Sequence, residues 1–439
     1  MGSGKTISLA GPSILFIYLI IGVMVFFVMR ALGELLLSNL TYKSFIDFTT
    51  DLIGPWAGYF VGWTYWLCWI TIGIADLSAI IYYLQFFNNG QPFSPVEGAM
   101  ISVAAIVFIM GLNLLTVRLF GELEFWFALI KILAIIGLIG VGGYMILTHF
   151  QAPHGDVVSI SNVWSHGGIF PKGVIGFLAG FQIAVFAFIG VELIGTTAAE
   201  TKDPEKNLPK AINAIPVRII LFYVLALFIV MSVTPWDHIR ADKSPFVELF
   251  LNAGIPVSAI IMNLVVLSSV MSSMNSGVFS TSRMLFGLSK DGQAPGAFGR
   301  LSKRAVPSNG LIFSCTFIMG GAVLQYFVPN TMEAFTLASS LCVILFISVW
   351  SLIMVCYLRY RKLRPELHEK STFKMPGGIL MSYVVLAFML FTLVILALEP
   401  DTLKALYVSP VWLVILGVTY HVLYKPRMKK LGRELVNDH

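Results

Sequence analysis

Charge is what this sequence of 439 residues most lacks: Asp, Glu, Lys and Arg make up 12% of it, against 57% hydrophobic residues. Globular chains ordinarily carry about 25% charged and about 45–50% apolar residues, and a soluble fold has too little interior to hide the surplus. The imbalance excludes a cytosolic enzyme and a disordered chain. Cysteine is scarce as well: Cys68, Cys315, Cys342 and Cys356 all lie in apolar runs, without the paired spacings of a metal centre or a disulfide scaffold. Period-two alternation is absent, which excludes an outer-membrane barrel, whose strands need about 10 alternating residues. What is present is a series of continuous apolar runs near 20 residues long, with a mean hydropathy of +0.84. That is the pattern of an all-α integral membrane protein. The formal charge of +6 marks topology rather than a nucleic-acid partner.

The runs fall at Ser13 to Leu37, Trp56 to Phe87, Val96 to Leu115, Phe125 to Leu147, Val174 to Gly195, Pro216 to Val233, Val257 to Leu285, Leu311 to Phe327, Ala334 to Tyr357, Ile379 to Leu398 and Val411 to Tyr424. These predict 11 spans in one transmembrane domain over 1–424, followed by a cytoplasmic tail over 425–439. Sorted by alternate connections, 24 of the 29 Lys and Arg residues collect on one side, leaving Lys5, Lys172, Arg240, Lys243 and Lys404 opposite. The positive-inside rule makes the crowded side cytoplasmic. Glu200 to Arg218 is then cytoplasmic and Gln151 to Pro171 external, and the first full span starts outside. Residues Met1 to Gly11 are too short to cross a core of about 30 Å. The expectation is that they form the outer half of a helix completed by an upstream segment.

Several polar residues interrupt the runs. Gly2-Ser3-Gly4-Lys5-Thr6 imitates the end of a phosphate loop but lacks the earlier Gly and the launching strand, so a helix end with a snorkelling Lys is the better reading. Glu192 stands mid-span just after Phe188-Ile189-Gly190. A carboxylate there would cost several kcal/mol facing lipid, on the order of 3 kcal/mol on insertion scales, so it marks either a broken-helix site or a packing hydrogen bond. Asp76 lies deep in its span, and Lys131 about two turns into the next charged one. Intramembrane ionisable groups usually face the protein interior and often relay protons, although Lys131 is shallow enough to snorkel. Asn275, Ser276, Ser280 and Ser282 read as interhelical hydrogen-bonding groups, and Trp63, Tyr65, Trp66 and Trp69 as packing or interfacial anchors. His149, His154 and His166 have no ligand spacing, so no metal is assigned.

The run FAFIGVELIGTTAAETKDPEKNLPKAI from Phe186 to Ile212 resembles the signature of the amino acid permeases of the amino acid, polyamine and organocation superfamily. EFWFALIK from Glu124 to Lys131, VFSTSRMLFGLSKDGQAP from Val278 to Pro295, LSKRAVPSNG from Leu301 to Gly310 and the opening GSGKTISLAGP are similar to the same family. The resemblance implies two inverted five-helix repeats plus two extra helices, with the first and sixth helices broken at mid-membrane. The Gly-rich stretch that the family carries just before the position of Gly2 does not appear in this sequence, and the resemblance therefore implies an incomplete first helix here. The resemblance further implies proton-coupled uptake of small neutral amino acids, glycine, D-alanine and D-serine among them, across a bacterial cytoplasmic (inner) membrane. Alternatives are a permease for another amino acid class, or a non-transporting fragment or sensor. No enzyme and no cofactor are expected. The partners would be the amino acid, protons and the lipid bilayer. Carried over by position, Ser3 and Gly4 would face the substrate carboxylate, and Phe188, Ile189 and Gly190 its ammonium, with Glu192 supporting the break. Lys131 would carry the proton, and Asp76 and Asn275 would join the substrate site.

Overall fold

A computed structural model describes residues 2–42, 44–115, 117–152, 157–196, 201, 203–254, 256–328, 330–398 and 400–426. Lys43, Lys202, Glu200 and the expected tail beyond residue 426 lie outside the described residues. Among the described residues eleven helices are long and apolar enough to cross a membrane, and there is no strand, only an isolated bridge between Gln151 and Val157. In chain order the helices that matter here are α1 (Gly2–Ala10), α2 (Ile14–Ser38), α3 (Phe45–Leu52), α4 (Pro55–Gln85), α5 (Pro95–Leu115), α6 (Val117–Leu147), α7 (Gly173–Ala179) and α8 (Phe181–Ala184). They continue with α9 (Pro204–Asn213), α10 (Ile215–Ile219), α11 (Ala226–Val233), α12 (Pro256–Lys290), α13 (Ser308–Ile318), α14 (Gly320–Phe327), α15 (Thr331–Leu363), α16 (Gly378–Leu398) and α17 (Pro400–Thr419).

Local chemistry explains the ends. Ser44 and Asp47 form a capping box on α3, with Ile46 N–H donating to Ser44 Oγ at 3.2 Å and Ser44 N–H to Asp47 Oδ2 at 3.0 Å. Asn330 Oδ1 caps α15 by accepting from the amides of Met332 and Glu333. Gly11, at φ +61°, is followed by Pro12, and this pair ends α1 with a reversal that a residue bearing a Cβ would resist. Ser3 and Tyr18 line one cavity, although a straight helix would hold them about 22 Å apart. So α1 folds back beside α7 and α8 and does not extend α2.

Two boundaries differ from the sequence reading. The chain is already helical at Pro204, twelve residues before Pro216, because Pro204 and Pro216 each occupy a first-turn position where no amide partner is needed. The amphipathic α9 buries Leu208 and Ile212. The last span starts at Pro400 and runs through Pro410, a break that membrane helices tolerate when neighbours satisfy the freed carbonyls.

Lipid is as apolar as a leucine core, so these helices are held by close packing and buried polar contacts rather than by hydrophobic burial. The long helices α4 and α15 form the centre, joined by Tyr65 against Phe346 at 5.8 Å. A Cβ on Gly62 would meet Leu288 at 2.7 Å and one on Gly73 would meet Ile318 at 2.9 Å, so small residues set the spacing of α4 from α12 and α13. Outward faces of α6, α16 and α17 carry exposed Leu133, Leu380 and Val414, as a lipid boundary requires. Alternate connections gather at opposite ends. At one end Arg364 bonds Asp51 at 2.7 Å and His368 bonds Glu34 at 2.5 Å. At the other the Trp236 indole donates to the His166 carbonyl and Lys404 pairs with Glu333 at 3.8 Å.

Candidate substrate and coupling site

The helix that begins with α7 loses its regular hydrogen bonding after Ala184. It tightens to a 3-10 turn over Val185–Phe188, passes through Ile189 in an extended conformation (φ −69°, ψ 143°), reverses at Gly190 (φ +101°) and resumes as a 3-10 turn over Val191–Gly195. A non-glycine residue would be strained at that reversal. Glu192, fully buried, closes the break: its Oε2 accepts from the Gly190 amide at 3.1 Å and its Oε1 from the Tyr65 hydroxyl at 3.4 Å. The carboxylate therefore replaces helix partners that the kink removed.

A cavity of about 680 Å³ opens against this break, lined by Ser3, Tyr18, Trp69, Phe188 to Gly190, Tyr223, Ser273 and Ser276, and it runs to Ile215 and Arg218. Its wall is aromatic. Phe188 stacks on Tyr223 at 5.2 Å, and Tyr18 lies 5.5 Å from each. The Tyr223 hydroxyl donates to the Ala187 carbonyl at 2.8 Å, fixing the end of the turn. The arrangement combines concave apolar walls with a few polar groups at a helix break, which suits a small zwitterion.

Not every residue singled out in the sequence reaches this cavity. Ser3, Phe188, Ile189 and Gly190 line it, and Glu192 stands behind it. Gly4 faces away, packed so closely on the 240–245 segment that a Cβ would meet the Lys243 carbonyl at 2.6 Å. Asn275 turns to α5, where its Oδ1 accepts from Asn113 Nδ2 at 2.8 Å. Asp76 is buried, close to the cavity-lining Ser273 and within electrostatic reach of Lys131. Lys131 does not snorkel into solvent: its Nζ donates to Ser272 Oγ at 3.0 Å.

Sequence reasoning missed Tyr18 and Tyr223, which look like ordinary apolar-run aromatics, and treated Trp69 as an anchor. It also passed over Ser272 and Ser273, although both sit in the serine-rich stretch that drew attention to Asn275.

The sequence is similar to known transport proteins over nearly its whole length. The profile of a family described as amino acid permease matches residues 1–432. The D-serine/D-alanine/glycine transporter of Escherichia coli (strain K12) is 59% identical over 433 residues, covering 99% of this chain and 91% of the relative. An amino-acid permease of Bacillus subtilis (strain 168) is 50% identical over 422 residues, 96% of this chain and 90% of the relative. A probable threonine/serine transporter of the same organism is 38% identical over the same share of each.

Proposed function

Since this chain belongs to the amino acid permease family, transporters rather than enzymes, we propose that it imports D-serine, D-alanine and glycine with protons across a bacterial cytoplasmic membrane, working by alternating access. The observation that carries the substrate reading is the 59% identity with the D-serine/D-alanine/glycine transporter over 99% of the chain. The cavity supports it. Ser3 lies near the start of α1, where unpaired amides favour a carboxylate, and the backbone of Phe188 to Gly190, freed by the break, suits an ammonium. The Tyr18, Trp69, Phe188 and Tyr223 rings leave apolar walls that a methyl or hydroxymethyl side chain can meet. The inverted-repeat architecture and a cytoplasmic C-terminus belong to the same reading.

Lys131 is the proposed proton carrier, because a lysine held between a serine hydroxyl and the nearby Asp76 can change protonation state as the site fills and empties. Uptake of radiolabelled glycine in cells lacking their own permease tests the whole reading. Saturable uptake competed by D-alanine and D-serine, and collapsed by a protonophore, is expected. Uptake indifferent to these competitors would overturn the substrate class, and protonophore-insensitive accumulation would overturn the coupling. Lys131→Gln is expected to keep glycine exchange and lose accumulation against a gradient. Unchanged accumulation would reduce Lys131 to a structural cation.

A further inference from the structure

Ser272 gathers two oppositely charged groups of one helix onto a single oxygen. Its Oγ accepts from Lys131 Nζ at 3.0 Å and donates to Glu124, 2.9 Å from Oε1 and 3.0 Å from Oε2. Glu124 and Lys131 are seven residues apart on α6, two turns on one face, so their side chains must lean toward each other to share that hydroxyl. On the other flank the buried Asp76 of α4 interacts electrostatically with Lys131. Among the described residues, the charged groups that act on Lys131 are Glu124 of α6 and Asp76 of α4, and Asp76 in turn acts on the Cys342 thiol of α15. The two carboxyl groups differ in their access to water. Asp76 is buried, with Oδ2 lacking a hydrogen-bond partner, while Glu124 is partly exposed.

We propose that Glu124 is the exit acceptor of a proton relay running Lys131, Ser272, Glu124, a reading that rests on Lys131 being the proton carrier. The relay starts from the Lys131 ammonium. An ammonium proton passes to Ser272 Oγ, breaking an N–H bond and forming an O–H bond, while the Ser272 hydroxyl proton passes to the Glu124 carboxylate. Lysine is left neutral, serine is unchanged in composition, and Glu124 is an acid that releases its proton to water. The hydroxyl is indispensable because it both accepts and donates.

Right-side-out vesicles from cells making the full chain provide the test, with glycine as substrate. Glu124→Gln and Ser272→Ala are expected to keep glycine exchange near the parent rate and to lower accumulation by about tenfold or more. Ser272→Thr, which retains the hydroxyl, is expected to restore accumulation. Net uptake by Glu124→Gln should lose its dependence on internal pH while keeping its dependence on external pH, a split that damaged packing would not produce. If Lys131→Gln fails to accumulate and Glu124→Gln accumulates normally, the relay is wrong while the carrier reading stands. Normal accumulation by Lys131→Gln removes both. Loss of exchange in Glu124→Gln makes Glu124 a structural group and overturns the relay.

Discussion

Glu192 is surrounded by donors, and that decides what a substitution will do. The Gly190 amide and the Tyr65 hydroxyl both point hydrogens at its oxygens, so Glu192→Gln, nearly isosteric, must turn an NH2 group toward one of them. An unsatisfied buried donor costs about 1–3 kcal/mol. Glycine uptake by Glu192→Gln is expected to fall by roughly the tenfold or more this corresponds to, with Tyr65→Phe milder because it removes the longer bond alone. Initial rates at matched membrane expression check this, and a fully active Glu192→Gln would show that the carboxylate does not hold the break. Gly190→Ala meets φ +101°, a conformation costing about 1–3 kcal/mol for a residue with a Cβ, and is expected to impair uptake even though the nearest atom to its Cβ would be Trp69 at 3.9 Å. A parent-like rate would place the strain elsewhere. The break was legible in the sequence because Gly and Glu are conspicuous in an apolar run. The facing of Asn275 was not. On a helix with serines on every side, Ser273 and Ser276 lie about 60° apart while Asn275 lies about 160° from Ser273, and no pattern in the sequence says which sector looks into the cavity.

The connection between α15 and α16 is strapped to the end of α2 by a second buried carboxylate. Glu34, fully buried, accepts from His368 Nδ1 at 2.5 Å and from the Met375 amide at 2.7 Å. One turn earlier Arg30 bonds the Lys374 carbonyl and Asn213 and covers the Phe373 ring at 3.8 Å. Gly33 between them leaves space for Ile212 of α9, whose Cδ1 would lie 2.6 Å from an added Cβ. Three elements distant in sequence thus meet on one turn of α2. Glu34→Ala strands the Met375 amide and leaves His368 without its partner, and is expected to destabilise the fold by about 1–3 kcal/mol, read as a lowered melting temperature of the detergent-solubilised protein. His368→Ala should cost less, since it removes one of the two bonds, and an unchanged melting temperature for Glu34→Ala would mean the strap adds nothing to stability. None of this was visible beforehand: Glu34 sits near a span end, where a carboxylate commonly faces water, and its partners arrive from more than 300 residues away.

At the scale of the whole chain, the eleven apolar runs were readable because membrane-spanning composition is a strong local signal, and the misplaced ends were those where proline starts a helix rather than stopping one. Sidedness draws on two independent observations. The Lys and Arg count assigns 24 of 29 residues to one set of alternate connections, and side-chain contacts gather alternate connections at the same ends, Asp51 with Arg364 and Glu34 with His368 at one, His166 with Trp236 and Glu333 with Lys404 at the other. A register error of one span would have mixed these partners. The charge-rich end is therefore expected inside. The four native cysteines are buried, so a single exposed cysteine can report its side without first removing them. Gln91→Cys, in the connection after α4, should react with a membrane-impermeant maleimide in intact cells, and Asn207→Cys on α9 only after permeabilisation. Both positions are exposed to solvent, so silence at Asn207 in intact cells would reflect the bilayer and not burial. The opposite labelling pattern would invert the molecule, and with it the direction in which Glu124 delivers its proton.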